Sequence, residues 1–592
     1  MKIYNLLNKK KLFSILFVFC LASFCYIIAN QVTNIPSEIV PIGDGNYEAM
    51  FYVQNTETGT MTCIGDGLIN SPSEISNNSE AVANTIITAP DYSNYISNSL
   101  SIKWNTITKD DEGFRVIGEI VSSNSTPTTV AQAEFANIEE LKSANLSNGD
   151  TATTKGFYTE NDGGGAKYTI ENSANKLTIP NTSIQLNNGK YANLVYENSI
   201  NVKQVGAHGD GISDDTALFI SIFTNAPNNN IYIPTGTYLI TETVFIPSNT
   251  TITGDGISSS LLACPGFAKG DDVLKIYNSN NIDISNIYIS GNIEVNTREK
   301  GYSAMDGIHL LDIWNASNIN ISKCGFINNV YTGIRAIGNC SDINITSTEF
   351  INVDCGLIAL GSGNVNNLKI ENSTFDGHKN SESISLFGTG TYTNIHIRNN
   401  IIKNKTKGHA IYSASGITKG IYITNNYLLD DCVGIYLKNA SDILIENNTL
   451  DFSNCTNMNN GKGINLTSCD DVILRNNSIT KTCQQGLYIN GCTNVSATNN
   501  NISDCGYVNT DFHAIDLRGI CSEIDLSSNS IVRTDNTLSQ YSVVAHSSGT
   551  VSLNNNSFEN SKVLLSKDSS DLTLLGNSVV VNNQGSNNTI KD

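Results

Sequence analysis

The sequence has little charge, little proline and only one long hydrophobic run. Charged residues make up 15% of its 592 residues, well below the ~25% of an ordinary globular domain. Its 55 acidic residues outnumber its 35 basic ones, which gives a formal net charge of −20, and the basic residues form no stripe. This balance argues against nucleic acid as a partner. Ten prolines without a G-x-y period exclude collagen, and a hydrophobic content of 39% excludes a disordered chain.

The hydrophobic run lies at the start of the chain. Four lysines, at positions 2, 9, 10 and 11, precede an uncharged apolar stretch over residues 12–29. Such a pattern is typical of a secretory signal or of an N-terminal anchor. We therefore expect residues 1–30 to be a signal peptide or an N-terminal membrane anchor, and cleavage and retention both stay open. The rest of the chain is expected to be secreted or displayed at the cell surface.

From residue 281 onward the pattern x-I-x-I-x-N-N-x-[F/I/L] returns in twelve copies, about 26 residues apart. The second, fourth and ninth positions are apolar in every copy, and this alternation predicts strands with one buried face. The seventh position is Asn in eight consecutive copies, from Asn400 to Asn577. Asn tolerates the left-handed conformation and can hydrogen-bond along a stack of identical turns. Several short strands per repeat, with each coil stacked about 4.8 Å above the last, predict a parallel β-helix.

Four cysteines share one column of this repeat, shortly before its first strand: Cys340, Cys469, Cys492 and Cys521. We favour the interpretation that they are small apolar side chains stacked inside the coils. Disulfides between neighbouring coils remain an alternative, because an even number of cysteines in an exported chain often forms them. No C-x-x-C spacing occurs, so metal ligation is not expected.

The chain divides into four regions by pattern. After residues 1–30, residues 31–130 contain alternating stretches but no repeat, and they predict a small β-rich domain of unknown role. Residues 131–200 are interpreted as a linker and lead-in, and residues 201–592 as the β-helix. Ser213 is a good N-cap for a short helix ending near Thr224, which would cover the open end of the first coil.

The start of the β-helix carries a family resemblance. Residues 206–219 read G-A-H-G-D-G-I-S-D-D-T-A-L-F, and residues 233–238 read I-P-T-G-T-Y. These motifs resemble the opening of the pectate lyase superfamily, which includes rhamnogalacturonase-like and polygalacturonase-like proteins and phage tailspikes. The segment 156–168 is similar to the lead-in of tailspike-like members. The resemblance covers roughly residues 200–592 and implies an all-β, right-handed parallel β-helix of about 12–13 coils. It also implies an extended groove for acidic or neutral polysaccharide, but the reaction is not implied by the fold.

The motifs of polygalacturonases (N-T-D, D-D, G-H-G and R-I-K) are only partly kept. Asp306 echoes the first, Asp354 supplies one acid of the second, and R-I-K is absent. Glycoside hydrolysis needs two carboxylates, up to ~9.5 Å apart in inverting enzymes. Asp306 and Asp354 are expected about 10 Å apart across two coils, with His309 and Arg335 pointing outward beside them. We therefore predict Asp306, Asp354 and His309 as catalytic residues and Arg335 as a substrate-binding residue.

A second candidate cluster lies further along the chain. Asp430 and Asp431 form an acidic pair, and His409 is their expected companion. Equivalent outward positions of the second strand carry Tyr412, Tyr436 and Tyr488. Aromatic rings in a groove can stack on sugar rings, so Tyr412 and Tyr436 are predicted to bind substrate, although they could also merely fill turns.

These observations leave three functions open. The first is an exported polysaccharide hydrolase or lyase of pectinase type, acting on uronic-acid polymers. The second is a non-catalytic glycan-binding or adhesive β-helix surface protein. The third is a tailspike-like appendage protein, for which a homotrimer is an expectation. No tight acidic cluster with calcium spacing appears, so neither a metal nor another cofactor is expected.

Overall fold

The computed structural model describes most of the chain beyond residue 45. The described ranges are 46–54, 61–70, 86–88, 100–110, 113–122, 132–226, 229–264, 271–293, 308–360, 363–377, 381–405, 407–429, 434–453, 461–507, 511–534 and 541–591. The predicted signal or anchor segment, residues 1–30, lies outside these ranges. No helix within the described ranges is both long enough and apolar enough to cross a membrane. The chain divides into two units, residues 1–130 and residues 131–592.

The first unit contains a five-stranded sheet in the order β3-β2-β1-β5-β4. Its strands are β1 (Asn46–Gln54), β2 (Met61–Asn70), β3 (Ile86–Thr88), β4 (Leu100–Asp110) and β5 (Gly113–Ser122). The central pair β1 and β5 is parallel, and the other pairs are antiparallel. Phe51, Ile107 and Val116 are buried, and the ring of Trp104 packs edge-on against Phe51 with centroids 5.0 Å apart. The alternating stretches of residues 31–130 thus include strands of one small sheet.

The second unit begins with another five-stranded sheet, in the order β6-β7-β8-β10-β9. Its elements are β6 (Gln132–Phe135), α1 (Ile138–Ser143), β7 (Thr151–Thr154), β8 (Lys167–Glu171), β9 (Ser183–Gln185) and β10 (Tyr191–Val195). Leu141, Tyr168 and Ile170 are buried in the same core as the β-helix. The region predicted as a linker and lead-in is therefore a packed sheet. In the loop before β8, the Asp162 carboxylate accepts hydrogen bonds from the backbone N–H groups of Phe157, Tyr158, Thr159 and Gly164.

The remaining strands form the parallel β-helix that the repeat predicts. Each coil contributes one strand to each of three parallel sheets, because strands pair mostly with the third strand after them. The first sheet carries the x-I-x-I strands, the second the short strands after the Asn turn, and the third the strands that precede the next copy. The long strands β23, β25 and β46 each continue through a corner and join two sheets.

The first sheet contains β11 (Ile200–Asn201), β13 (Asn230–Ile233), β16 (Thr250–Gly254), β19 (Asn280–Ser285), β22 (Ser317–Ser322), β24 (Cys340–Thr346), β26 (Asn364–Glu371), β29 (Thr391–Arg398), β32 (Ile417–Thr424), β35 (Ala440–Glu446), β38 (Asp470–Arg475), β41 (Thr493–Thr498), β44 (Ser522–Ser527), the end of β46 (Val543–Asn554), β49 (Ser570–Leu575) and β51 (Thr589–Lys591). The second contains β12 (Asp210–Asp214), β14 (Gly236–Ile240), β17 (Ser259–Ala263), β20 (Tyr288–Ser290), the starts of β23 (Gly325–Ile337) and β25 (Glu349–Leu360), β27 (Thr374–Asp376), β30 (Ile401–Lys403), β33 (Tyr427–Leu429), β36 (Thr449–Asp451), β39 (Ser478–Thr480), β42 (Asn501–Ser503), β45 (Ser530–Val532) and β47 (Ser557–Glu559). The third contains β15 (Val244–Ile246), β18 (Asp272–Tyr277), β21 (His309–Trp314), the ends of β23 and β25, β28 (Ile384–Phe387), β31 (Ile411–Ser413), β34 (Ile435–Lys438), β37 (Ile464–Thr467), β40 (Leu487–Asn490), β43 (Ile515–Ile520), the start of β46, β48 (Lys562–Leu565) and β50 (Val580–Asn583).

The apolar columns of the repeat line the interior of the coils. Residues at the second and fourth positions are buried in all twelve copies, and most of them are fully inaccessible. At the ninth position Phe326, Phe350 and Phe375 stack along the axis, with centroids 5.3 and 4.5 Å apart. The coils therefore share one continuous core, as expected for a fold whose repeats contact only their neighbours.

A short helix covers the start of the β-helix, but it begins later than the sequence suggests. Helix α2 (Thr216–Asn225) follows Asp215, whereas Ser213 lies in strand β12. Ser213 is held there because its backbone N–H and hydroxyl both donate to the carboxylate of Asp210. The Asp215 carboxylate accepts the backbone N–H groups of His208 and Gly209, so it ties the preceding loop to the helix rather than capping the helix.

The sequence suggests that the seventh-position Asn both adopts the left-handed conformation and hydrogen-bonds along the stack. In the structure two neighbouring positions of the turn share these roles. The seventh-position asparagines are buried, and from Asn426 onward each Oδ1 accepts hydrogen bonds from the backbone and side-chain amides of the Asn one coil earlier. Stacking of identical turns is therefore present. Positive φ falls instead on the sixth position, for example 57° at Asn425 and 56° at Asn476. The sixth residue adopts the positive φ that reverses the chain direction. The seventh residue points its side chain inward, where the stacked asparagines form a ladder of hydrogen bonds.

We expect the Asn477→Ala variant to lower the free energy of unfolding by about 2–3 kcal/mol, because a buried donor without a partner costs about 1–3 kcal/mol. The side chain of Asn477 accepts from the backbone N and from Nδ2 of Asn448, both at 3.0 Å, and its Nδ2 donates to the carbonyl of Ile445. Chemical denaturation measures the loss. The exposed neighbour provides the control: Asn476→Gly keeps a residue that adopts positive φ freely and should shift the midpoint little. Equal losses in both variants would contradict a ladder role.

The cysteine column lies inside the coils. Cys340, Cys469, Cys492 and Cys521 are buried free thiols in the described structure. Cys469 and Cys492 are register neighbours, and the backbone N–H of Cys469 donates to Sγ of Cys492 at 3.4 Å. Small side chains packed along the stack therefore account for this column.

Candidate functional site

One outward column of the third sheet collects most of the reactive side chains. Strand residues alternate between the two faces of a sheet. Lys275 lies between the buried Leu274 and Ile276, so it faces away from the core, and so do its register partners on later coils. In coil order this column reads Lys275, Asp312, Arg335, Ile358, Ser385, Tyr412, Tyr436, Asn465, Tyr488 and Asp516. Successive members are about 4.8 Å apart along the axis.

The first coils of this column hold an ion-pair cluster, formed by Asp272, Lys275, His309, Asp312 and Arg335. The Lys275 amine lies 2.6 Å from Oδ2 of Asp272 and 2.9 Å from Oδ2 of Asp312. Nε of Arg335 donates to Oδ1 of Asp312 at 2.7 Å. Nδ1 of His309 lies 2.8 Å from Oδ1 of Asp272. Two carboxylates and two permanent cations thus neutralise each other in a nearly closed network.

Asp312 is held as an anion in this network. Burial alone would raise the pKa of the Asp312 carboxyl, but Arg335 and Lys275 outweigh it and lower that pKa below its ordinary value. A carboxylate of this kind stabilises positive charge and does not donate a proton at neutral pH.

The structure revises the expected orientation of His309 and Arg335. Both were expected to be open to a groove, but His309 is fully buried and the Arg335 side chain, although it lies in the outward column, is only 11% exposed. The cause is the pair of carboxylates: Asp272 holds the imidazole and Asp312 holds the guanidinium within the ion-pair cluster. Nε2 of His309 has no hydrogen-bond partner among the described residues. Asp306, the expected catalytic partner of His309, lies outside the described residues.

A second group, the central cluster, consists of Glu382, His409, Tyr412 and Tyr436. The His409 ring packs against Tyr412 and Tyr436 with centroids 5.1 and 5.2 Å apart, and the two tyrosine rings are 5.6 Å apart. Nδ1 of His409 lies 3.8 Å from Oε1 of Glu382 on the preceding coil. The structure therefore brings together three predicted residues. Asp430 and Asp431, their expected companions, lie outside the described residues.

Glu382 is the member of this cluster that sequence reasoning missed. Its signal is positional: Glu382 lies two residues before Ile384, and His409 lies two residues before Ile411, the register partner of Ile384. The same spacing relates His309 to Leu311 on an earlier coil of the sheet. Aligning this column across coils would have identified Glu382.

Glu382 is ionised at neutral pH. Burial alone would raise the pKa of its carboxyl, but His409 and the Ser381 hydroxyl, which donates at 2.9 Å, lower that pKa below its ordinary value. The residue is therefore suited to accept a proton or to stabilise positive charge, rather than to act as the acid.

The predicted catalytic residue Asp354 lies one coil before Glu382. Asp354 is buried in β25, whose Leu357 pairs with Ile384 of β28. Asp354 lies three residues before Leu357 and Glu382 two residues before Ile384, so the two acids lie near the same corner of successive coils. Burial raises the pKa of the intervening Cys355 thiol well above its ordinary value, and the negative charges of Glu382 and Asp354 act in the same direction. The buried Lys405 amine, which donates to the Ser381 carbonyl, brings a positive charge to the same place.

Comparison with known families decides the classification of this fold. The family model described as rhamnogalacturonase A/epimerase, pectate lyase-like, matches residues 199–510, and a right-handed β-helix model matches residues 448–592. The chain belongs to the rhamnogalacturonase A/epimerase, pectate lyase-like family. The match spans the ion-pair cluster and the central cluster, so both lie within the part of the chain that defines the family. It confirms the superfamily and the right-handed β-helix that the opening motifs imply.

Individual relatives of this rhamnogalacturonase A/epimerase, pectate lyase-like chain match shorter pieces. The pre-neck appendage protein of Bacillus phage B103 is 30% identical over 158 residues, which are 25% of this chain and 18% of that protein. A glucan 1,3-beta-glucosidase of Cochliobolus carbonum is 28% identical over 159 residues, covering 23% of this chain and 20% of that protein. The chain thus covers about a fifth of the length of these relatives. The A-module of the Azotobacter vinelandii mannuronan C-5 epimerase AlgE6 aligns with a TM-score of 0.38 and 13% identity, covering 66% of this chain and 99% of that module.

Across the described ranges of this family member, no group of three or more His, Cys, Asp or Glu residues is placed to hold a metal ion. The expectation that the protein needs no metal or other cofactor stays a prediction.

Proposed function

We propose that this protein binds an extended polysaccharide along the third sheet and hydrolyses it at the central cluster. The observation that carries the proposal is the packing of His409, Tyr412 and Tyr436 beside the ionised Glu382, with Asp354 on the preceding coil. Glycoside hydrolysis requires a pair of carboxylates, and aromatic rings beside them offer apolar faces on which sugar rings stack.

The two carboxylates are assigned different roles. Glycosidases place one carboxyl as proton donor and one carboxylate as base or nucleophile on either side of the scissile bond. Glu382 is assigned the second role because its pKa is lowered, and Asp354 is assigned the role of proton donor. His409 holds Glu382 in position, and the partly exposed rings of Tyr412 and Tyr436 provide the surface on which sugar rings stack.

Family membership supports a carbohydrate ligand, and a uronic-acid polymer remains our preferred substrate class. Lys405 supplies a local positive charge near the carboxylates that the net charge of −20 conceals. The location we propose, secreted or at the cell surface, is consistent with a polymer that is too large to enter a cell. It rests on residues 1–30 of the sequence.

The reaction is tested on a panel of polysaccharides that includes homogalacturonan, rhamnogalacturonan and β-1,3-glucan. We expect new reducing ends from at least one polymer, without the ultraviolet absorbance of unsaturated uronate products. If that absorbance appears, the reaction is a lyase-type elimination and not a hydrolysis. If no polymer in the panel is shortened, the hydrolase proposal is wrong.

We expect the Tyr436→Ala variant to bind the cleaved polymer about 2- to 10-fold more weakly, because an aromatic pair contributes about 0.5–1.5 kcal/mol beyond its buried area. Tyr436 packs against both His409 and Tyr412. Tyr427→Ala is the matched control, since Tyr427 is 52% exposed in the second sheet. Affinity gels or calorimetry measure the change, and an equal loss in both variants would contradict stacking on the third sheet.

A second candidate function is an appendage-type glycan binder without hydrolytic activity. The matches to phage pre-neck appendage proteins, at 30% and 31% identity, favour it, although they cover less than a fifth of those proteins. A homotrimer belongs to this proposal. Binding without cleavage, together with a trimer in sedimentation equilibrium, would establish it over the hydrolase.

A further inference from the structure

A third group of reactive side chains lies beyond the central cluster on the same sheet. We call it the C-terminal cluster and define it by Lys462, Gln485, Tyr488, Asp516 and Arg518. Tyr488 and Asp516 occupy the outward column of Tyr412 and Tyr436. Lys462 and Gln485 lie two residues before Ile464 and Leu487, as Glu382 lies two residues before Ile384. The C-terminal cluster thus repeats the geometry of the central cluster with different chemistry.

Asp516 is fully buried, and its carboxylate is satisfied within the cluster. Nε and Nη2 of Arg518 donate to its two oxygens at 2.8 and 3.0 Å, and Nε2 of Gln485 donates at 3.1 Å. This bidentate geometry fixes the plane of the guanidinium. The Arg518 side chain is nevertheless 39% exposed, so its remaining N–H groups can reach a ligand.

Lys462 is the unbalanced charge of the cluster. Its amine lies over the Tyr488 ring, 5.0 Å from the centroid. Within the described residues it forms no ion pair with a carboxylate. Burial lowers the pKa of Lys462, although Asp516 acts in the opposite direction. A partly desolvated ammonium without a carboxylate partner is a group that an anionic ligand would stabilise.

The charge of the cluster has the opposite sign to that of the chain. Among the described residues of the cluster, Lys462 and Arg518 are accompanied by one carboxylate, Asp516, in a protein whose net charge is −20. On the neighbouring coil His546 is the register partner of Arg518, and burial lowers its pKa, so it adds no charge at neutral pH. The partly buried face of Tyr488 offers an apolar surface beside the two cations.

We propose that Lys462, Tyr488 and Arg518 form a second subsite, which binds a carboxylate-bearing sugar unit of the same polymer. The inference rests on the proposed function in one respect: a single chain is taken to occupy both clusters. Tyr436 and Tyr488 are two coils apart, about 10 Å, and Tyr412 and Asp516 are four coils apart, about 19 Å. A polymer that lies along the outward column therefore meets aromatic rings first and the cations further along.

Binding of homogalacturonan and of its methyl-esterified form tests the subsite. We measure both by calorimetry in the Glu382→Gln background, so that no polymer is consumed. We expect Lys462→Gln to weaken binding of homogalacturonan about 10-fold or more, since a hydrogen bond to a charged group contributes about 1.5–3 kcal/mol. The esterified polymer should bind both proteins equally, and Lys462→Arg should retain most of the affinity.

Lys403→Gln is the control for loss of one positive charge. Lys403 lies in the second sheet and pairs with Asp376 at 3.2 Å, so its replacement should leave binding unchanged. An equal loss in Lys403→Gln, an unchanged affinity in Lys462→Gln, or no preference of the parent protein for the free acid would each overturn the subsite. If no polymer is cleaved but Lys462→Gln still loses affinity, the hydrolase proposal fails and the subsite stands.

Discussion

The Glu382→Gln variant should cleave the polymer about 10²–10⁴-fold more slowly than the parent, which is the contribution of a positioned general acid or base. The amide has the shape of the carboxylate but cannot accept a proton from water or stabilise positive charge. The loss should appear in kcat, with little change in KM, since Tyr412 and Tyr436 still bind the sugar rings. Initial rates of reducing-end release measure it.

Glu446→Gln is a matched control for this substitution. The Glu446 side chain is 20% exposed against 24% for Glu382, and it pairs with Arg475 in the first sheet. Its replacement should leave the rate unchanged. Full activity of Glu382→Gln, or equal losses in both variants, would remove Glu382 from the mechanism.

The pH dependence of cleavage gives a second check on Glu382. Its pKa lies below the ordinary value of about 4.3 for a Glu carboxyl. A base with a lowered pKa stays ionised as the pH falls, so activity should persist below that value and decline only when Glu382 becomes protonated. The titratable groups around it include His409, Lys405 and Asp354. If the rate already declines at a pH well above the ordinary pKa of a Glu carboxyl, the catalytic base is another residue.

The fold could be predicted from the sequence because the same apolar pattern occurs in every repeat. The second position of the repeat is apolar in twelve copies, so a single irregular copy could not obscure the period, and the buried columns follow from it. The role of the turns was less accessible. Both Asn399 and Asn400 fit a turn, and only the structure shows that the first adopts positive φ while the second donates into the ladder.

The candidate site was less accessible, because each of its side chains occurs once. Pairing across coils depends on the register that loops of different length produce. His309 meets Asp272 across 37 residues, whereas Arg335 meets Asp312 across 23. The sequence pattern therefore placed His309 and Arg335 on the right sheet, but it did not show that ion pairs bury both side chains. It also passed over Glu382, which has no motif of its own.

Removing one charge from the ion-pair cluster should cost much more stability than removing an exposed one. We expect Asp312→Asn to lower the free energy of unfolding by about 3–5 kcal/mol, as for other buried pairs that lose one partner. Lys275 and Arg335 would then face a single carboxylate, Asp272. Asp376→Asn removes the partner of Lys403 from a pair that is 39% and 28% exposed, and an exposed pair contributes at most about 1 kcal/mol. Chemical denaturation of both variants measures the difference.

Acid should reduce the difference between the parent and Asp312→Asn. A carboxyl whose pKa is lowered by folding contributes stability above its unfolded value, about 3.9 for Asp, and loses that contribution as the pH falls through the folded value. The gap should therefore be full at neutral pH and narrow only below about pH 4. If the difference in unfolding free energy between the parent and Asp312→Asn is independent of pH, the substitution destabilises the protein through altered packing and not through the lost charge.

The same variant separates the two candidate sites. If the ion-pair cluster only holds the first coils together, folded Asp312→Asn should cleave polymer at nearly the parental rate, because Glu382 and Asp354 lie on later coils. If activity is lost while the unfolding midpoint is unchanged, catalysis is assigned to the predicted site at Asp306 and His309. The central cluster is then a binding surface only. Stability and rate measured on one protein thus distinguish a structural network from a catalytic one.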